Sequence, residues 1–275
     1  MKFIALLPAL LSCMAWAGSL QDGIKAYDDG DNEQAAKFWQ QACDAGNSEG
    51  CVRLGSLYFK GRGVDRDWDK AQALYKKACD ARDLRGCNNL ASTIYKNDKE
   101  SADGVRRALE IYEYACKKGL GLSCYNLGEH YESGRGVQRD EARALALYKD
   151  ACYKAYAHAC YELAGLYHEQ VLDSEGDMED YAGSKEGYGR QAYREAERKL
   201  KEGRKEAVRF YTLTCKHGGA QGCDRMGQAY EEGLFGVQRD MRQAKKFYDR
   251  ACKITSDPND SGYICKGIEN FKGAK

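Results

Sequence analysis

Proline and histidine are scarce in this 275-residue chain, which has two of the first and four of the second. Excess charge is missing too, since 43 Lys+Arg and 42 Asp+Glu leave a formal net charge of +1. With 43% hydrophobic residues and so little proline, a collagen-like or disordered chain is excluded. Balanced charge gives no electrostatic reason to bind nucleic acid or an anionic membrane. Beyond the N-terminus no apolar run reaches the roughly 18 residues of a membrane span. The histidines are His130, His158, His168 and His217, with no His-x-His among them. His158 and His168 straddle Cys160 and read as solvent-facing helix residues, so no metal and no cofactor is expected. Cys-x-x-Cys and Cys-x-x-Cys-His are absent, which removes support for a thioredoxin-like or c-haem site.

What the chain has in quantity is cysteine, thirteen in all. Residues 1–17 read as a secretory signal peptide: Lys2, an apolar stretch from Phe3 to Leu11, and a small-x-small site at Ala15-Trp16-Ala17. Leu10-Leu11-Ser12-Cys13 offers a rival reading as a lipoprotein box anchored at Cys13. Cleavage after Ala17 leaves twelve cysteines, an even number that favours soluble export. Either route leads to an oxidising space, periplasmic or extracellular, where disulfides persist.

Those twelve form a pattern. Five pairs are Cys-x7-Cys: 43/51, 79/87, 116/124, 152/160 and 215/223; the sixth, 252/265, is wider. Their first members recur at 36, 37, 36, 63 and 37 residues, one long interval holding a 27-residue insertion. A fixed period in this range marks a repeat array. Eight before each first cysteine stands Ala35, Ala71, Ala108, Ala144, Ala207 or Ala244. Four before it stands Trp39, Tyr75, Tyr112, Tyr148, Tyr211 or Tyr248. With apolar residues five before and Ala or Thr one before, this is one face of an amphipathic helix. Asp31, Asp67, Asp140 and Asp240 stand at an N-cap position, with Gly104 and Gly203 in the other two repeats.

A second helix opens at the second cysteine. Leu or Met follows three later, Gly or Ala four later (Gly55, Ala91, Gly128, Ala164, Gly227), and Tyr or Ile seven later. Turns such as Gly61-Arg62-Gly63-Val64 and Gly134-Arg135-Gly136-Val137 join the two helices. The expected hairpins are 19–43, 51–79, 87–116, 124–152, 160–215 and 223–252, followed by a C-terminal cap at 257–272. Lys96 to Val105 replaces the glycine turn in the third. The insertion, about 171–200, reads as a polar loop followed by a helical stretch from Ala192 to Lys201. It is either a tolerated surface insertion or a functional one. Gly46, Gly119 and Gly218 suit left-handed helix ends. Disulfides Cys43–Cys51, Cys79–Cys87, Cys116–Cys124, Cys152–Cys160 and Cys215–Cys223 would staple consecutive hairpins, with Cys252–Cys265 as a sixth.

Leu-Gly-x-x-Tyr, Gly-x-Gly-Val and Asp-x-x-x-Ala-x-x-x-Tyr together resemble the Sel-one-like repeat, a relative of the tetratricopeptide repeat. With the Cys-x7-Cys staple the chain is similar to the Helicobacter cysteine-rich protein family over about residues 19–252. That resemblance implies an all-α, right-handed α-solenoid of about six αα-hairpins, exported, with one disulfide per repeat. It also implies a β-lactamase label, since some members bind penicillins and hydrolyse them slowly; other repeats of this type are adaptors for proteins or peptides. The sequence itself offers no catalytic residues. No serine is followed by Lys at the third position, and Ser-Asp-Asn and Lys-Thr-Gly are absent.

A binding role is the first expectation. The first-helix positions two and six after the second cysteine are left over from the packing pattern and would line a concave face. They read Arg53/Leu57, Asn89/Thr93, Asn126/His130, Glu162/Leu166 and Arg225/Ala229. Asn can bond both backbone groups of an extended peptide, and Arg can clamp a carboxylate. Arg53, Asn89, Asn126, Glu162 and Arg225 are therefore the candidate ligand-binding residues; the alternative is an ordinary solvated helix face. The expected partner is a protein, a peptide or a peptidoglycan stem. A β-lactam, which resembles the D-Ala-D-Ala end of that stem, links this reading to weak β-lactam hydrolysis.

Overall fold

The computed structural model describes residues 7–183 and 187–255, with side chains from Gly18 onward. Among the described residues there are twelve α-helices, one short 3-10 turn and no strand. The chain divides between Asp140 and Glu141 into two compact units. The first holds α1 (Leu7–Asp28), α2 (Asn32–Asp44), α3 (Ser48–Lys60), α4 (Trp68–Asp80), α5 (Leu84–Asn97), α6 (Ala102–Lys117) and α7 (Gly121–Ser133). The second holds α8 (Glu141–Tyr153), α9 (Ala157–Tyr181), α10 (Gly187–Lys216), α11 (Ala220–Glu232), the 3-10 turn Leu234–Gly236 and α12 (Met241–Ile254).

The repeat pattern maps directly onto this order. The alanines eight before each first cysteine are at most 2% exposed, and the aromatics four before at most 7%. Tyr75 and Tyr248 press on the small residue of the facing helix. A β-carbon on Gly55 would lie 2.8 Å from Tyr75 Cε1, and one on Gly227 would lie 2.5 Å from Tyr248 Cε1. Burying each large side chain contributes about 1.5–3 kcal/mol. The hairpin-repeat, all-α architecture expected from the sequence is therefore present in both units.

Five disulfides form as expected, with Cα–Cα separations between 4.5 and 4.7 Å. Each ties the last turn of one hairpin to the first turn of the next. Small residues let these helix ends meet: β-carbons on Gly50, Gly86 and Gly222 would lie 2.8, 2.6 and 2.3 Å from Ala42, Ala78 and Thr214. Within the stapled loops, Asn47 and Asp83 cap α3 and α5 by accepting bonds from backbone amides. The residue three after the first cysteine is left-handed in all five loops: Gly46, Arg82, Gly119, Ala155 and Gly218. In the sixth expected pair Cys265 lies outside the described residues, as does the cap at 257–272.

Three expectations change. Asp31, Asp67 and Asp240 do cap α2, α4 and α12, but Gly104 does not cap α6. Ser101 takes that role, and Gly104 lies one turn inside, where a β-carbon would meet Asp98 at 2.2 Å. Gly203 is interior to α10 and packs against Tyr167 and Val171 of α9. Nor is the start of the insertion a loop. α9 continues to Tyr181, and α10 begins at Gly187, ahead of the expected Ala192. Val171, Ser174, Ala196 and Leu200 are buried between the two arms, so packing overrides the polar, glycine-rich composition of 172–183.

Candidate functional site

The first helices present two different faces. Four of the five residues six after the second cysteine are core: Leu57, Thr93, His130 and Ala229 are between 0 and 7% exposed. Leu166 alone is open, at 49%. The expectation that these positions escape packing is thus corrected. A first helix packs both on its hairpin partner and on its neighbours, as α3 does on α4 and α5, so its apolar stripe is wider than one contact requires.

The positions two after the cysteine are less buried, and the two units share them. Arg53, Asn89 and Asn126 lie in the first unit and are half-buried. Glu162, exposed, and Arg225, half-buried, lie in the second. Arg53 bonds Glu49 Oε1 at 2.7 Å, and its guanidinium sits 5.6 Å from the Trp39 ring centre. Glu162 faces His158 at 3.6 Å, one helical turn back. Arg225 donates to Gln228 Oε1 at 3.1 Å, and Gln228 donates to Asp224, whose carboxyl burial pushes up.

Asn89 and Asn126 meet through a residue absent from the expected set. Asn88 is 4% exposed and accepts from Asn126 Nδ2 at 2.9 Å and from Ser123 Oγ at 3.0 Å. It donates to Asn89 Oδ1 at 3.4 Å. The signal was an Asn directly after Cys87, where the other repeats carry Val52, Tyr125, Tyr161 and Asp224. This node commits the Asn126 amide to the fold and leaves Asn89 Nδ2 without a partner among the described residues.

Asn89 opens onto a cavity of about 320 Å³ between α3 and α5, lined also by Ser56, Phe59, Lys60, Tyr75, Ser92, Thr93 and Lys96. Its hydroxyls are largely committed. Ser56 Oγ lies 3.2 Å from Tyr75 Oη, Ser92 Oγ lies 2.7 Å from Tyr112 Oη, and Thr93 Oγ1 donates to the Asn89 carbonyl at 2.8 Å. Burial pushes the Tyr75 and Tyr112 phenols up. Lys96 Nζ stands 4.7 Å from the Phe59 ring centre, and Phe59 stacks on Trp68 at 6.2 Å. A second cavity of about 580 Å³ adjoins it, lined by Arg66, Asp67, Trp68, Asp69, Lys96 and Asn97.

His130 and His168 are held by packing, and His168, expected to face solvent, is half-buried instead. His130 Nδ1 meets the Arg135 carbonyl at 2.8 Å, and its ring stands edge-on to Tyr95 at 4.7 Å. Burial holds its pKa down. His168 lies 3.5 Å from Tyr211 Oη and edge-on to Phe235.

The Sel1 repeat profile matches residues 11–47, 48–83, 85–120, 121–156 and 220–254, well over half of the chain. The chain belongs to the Sel1 repeat family. Among curated proteins, "Putative beta-lactamase HcpC" of Helicobacter pylori strain J99 is 42% identical over 48 residues. That stretch is 18% of this chain and 17% of HcpC, so the match spans about a sixth of the relative's length. HcpC of strain 26695 is 43% identical over 44 residues, covering 16% of this chain and 15% of its own. Among solved structures, a Sel1 repeat protein from Oxalobacter formigenes superposes with a TM-score of 0.55 at 21% identity, covering 86% of this chain and 87% of its own. An immunity protein from Pseudomonas aeruginosa gives 0.53 at 17% identity, covering 89% and 83%. These likenesses show the Sel1 fold. No described helix is long and apolar enough to cross a membrane, and five disulfides fit an exported protein.

Proposed function

We propose that this Sel1 repeat protein is an exported binding scaffold whose first helices in the first unit hold a peptide or a segment of a partner protein. One observation carries the reading: a polar-walled cavity beside Asn89, between two first helices of the first unit. The signal peptide at 1–17, with cleavage after Ala17, is part of the proposal. Leu20 and Ile24 pack with Trp39 and lie beyond the cleavage point, so the mature chain keeps that contact.

A displayed library of short peptides, offered both with free C-termini and as closed loops, tests this against the oxidised mature protein. Binding weakened several-fold by Asn89→Ala, in a variant that melts like the parent, is expected. Asn126→Ala is the less clean probe, because its amide also supports Asn88. Failure of every peptide to bind would remove the scaffold reading.

Hydrolysis of a β-lactam ring is the second reading and rests on the partial likeness to HcpC. A serine nucleophile must give its proton to a base. Ser56 and Ser92 are paired with tyrosines whose raised pKa keeps the phenols protonated at neutral pH, which makes them poor bases. Nitrocefin turnover that survives purification and disappears in Ser92→Ala would reverse the order of the two readings.

A further inference from the structure

We infer that the cavity between α3 and α5 receives a free carboxylate, the C-terminal end of a peptide chain, with the last apolar side chain laid on Phe59. This rests on the binding reading above and adds the chemistry of the ligand.

The argument is one of leftover donors. The hydroxyls of Ser56 and Ser92 are engaged with Tyr75 and Tyr112, and that of Thr93 donates to a backbone carbonyl. The donors left without a hydrogen-bond acceptor among the described residues are Lys60 Nζ, Lys96 Nζ, which sits over the Phe59 ring, and Asn89 Nδ2. All three donate. Neither lysine makes an ion pair among the described residues, and no carboxylate lines this cavity. Two lysines and an amide N–H donor border one cavity that no carboxylate lines, which favours an anionic acceptor, and charge-assisted bonds are the strong ones.

Shape adds the rest. At about 320 Å³ the space exceeds what a bare inorganic anion fills and matches the small end of ligand pockets, roughly 300–1,000 Å³. Its apolar wall is Phe59, extended outward by the stacked Trp68, which is 41% exposed. The ligand is therefore amphiphilic, with a charge beside an apolar group. Polarity also sets direction. The adjoining cavity carries both signs, Arg66 and Lys96 with Asp67 and Asp69, and so suits the neutral backbone of an extended chain. The carboxylate lies inward between the lysines, and the preceding residues run out past Trp68.

Titration calorimetry on the full oxidised chain tests this. The probes are acetyl-Ala-Ala-Phe and acetyl-Ala-Ala-Leu, each as free acid and as C-terminal amide, with diacetyl-Lys-D-Ala-D-Ala and phenylacetate as further arms. The free acids should bind at least about tenfold more tightly than the amides, with affinity falling as salt rises. That advantage should vanish in Lys60→Met and in Lys96→Met, where exposed stems are kept and only charge is lost. Preference for the D-Ala-D-Ala probe would assign the carboxylate to the cell wall, and preference for the L-peptides to a protein terminus. Acids and amides binding equally, an acid preference that survives both lysine variants, phenylacetate binding as tightly as the peptides, or no binding by any acid at about 5 mM would each overturn the inference. Closed-loop peptides that still bind and still depend on Asn89 would leave the scaffold reading standing while the carboxylate falls.

Discussion

Gly63 rests on the backbone of Asn32. A β-carbon on this glycine would lie 2.4 Å from the Asn32 carbonyl carbon, and the residue holds φ at +67°. The second glycine of the turn is thus the point where one hairpin touches the start of the preceding hairpin's second helix. Gly63→Ala should lose about 2–3 kcal/mol, from positive φ and from contact with backbone that cannot step aside. Urea unfolding of the variant beside the parent measures it, and a change below about 0.5 kcal/mol would show that the contact is slack.

Arg82 and Ala155 occupy the left-handed position that Gly46, Gly119 and Gly218 fill elsewhere. A side chain costs about 1–2 kcal/mol there, and glycine returns roughly 0.4–1 through the unfolded chain. Arg82→Gly and Ala155→Gly should each raise stability by about 0.5–1 kcal/mol, and Gly119→Ala should lower it. Thermal melts of the three variants check both signs.

The Cys43–Cys51 staple is buried among Ala78, Val52 and Leu74. Replacing both cysteines by alanine should cost about 2–3 kcal/mol, chiefly by freeing the loop in the unfolded state. Serine at both positions should cost more, because its hydroxyls would be buried among apolar groups. Comparing the two double variants under oxidising conditions separates loop closure from burial.

His130 is buried, and its folded pKa lies below its unfolded value of about 6.5. The unfolded chain therefore takes up the proton first. Stability from this site is complete above the unfolded pKa, begins to fall as pH drops through it, and is lost by the time pH passes the folded value. The Tm should decline between pH 7.5 and pH 5 more steeply in the parent than in His130→Gln. Equal slopes would assign the acid sensitivity to other groups, among them His168 and His217, whose pKa values burial also lowers.

Much of this fold was legible in the sequence because its signals are local and repeated. The cysteine spacing names the stapled loops, the Ala and aromatic positions name the second helices, and Asp31, Asp67 and Asp240 cap where they stand. What escaped is what depends on a second neighbour. Leu57, Thr93, His130 and Ala229 look surplus on a single hairpin and are core once another packs beside it. Gly203 reads like a cap and instead admits Val171 of the opposing arm. The candidate site was half visible. Asn89 belongs to the expected stripe, but its hydrogen-bond state follows from Asn88 and Thr93. Lys60 and Lys96 share one repeat position, nine after the second cysteine, but Ser133, Glu169 and Glu232 stand there in the other repeats, so no common residue type marked it, and Phe59 lies off the expected stripe.

The stapled loops also decide what a protease can accomplish. A cut between Cys79 and Cys87 severs the backbone, yet the two fragments stay joined by a bond buried at Cys87. The same holds at the other four staples. At these connections a nick need not separate the hairpins on either side, and the damage becomes visible only when a reductant is added. A chain built this way can outlast its own cleavage in a space that contains proteases and lacks thiols.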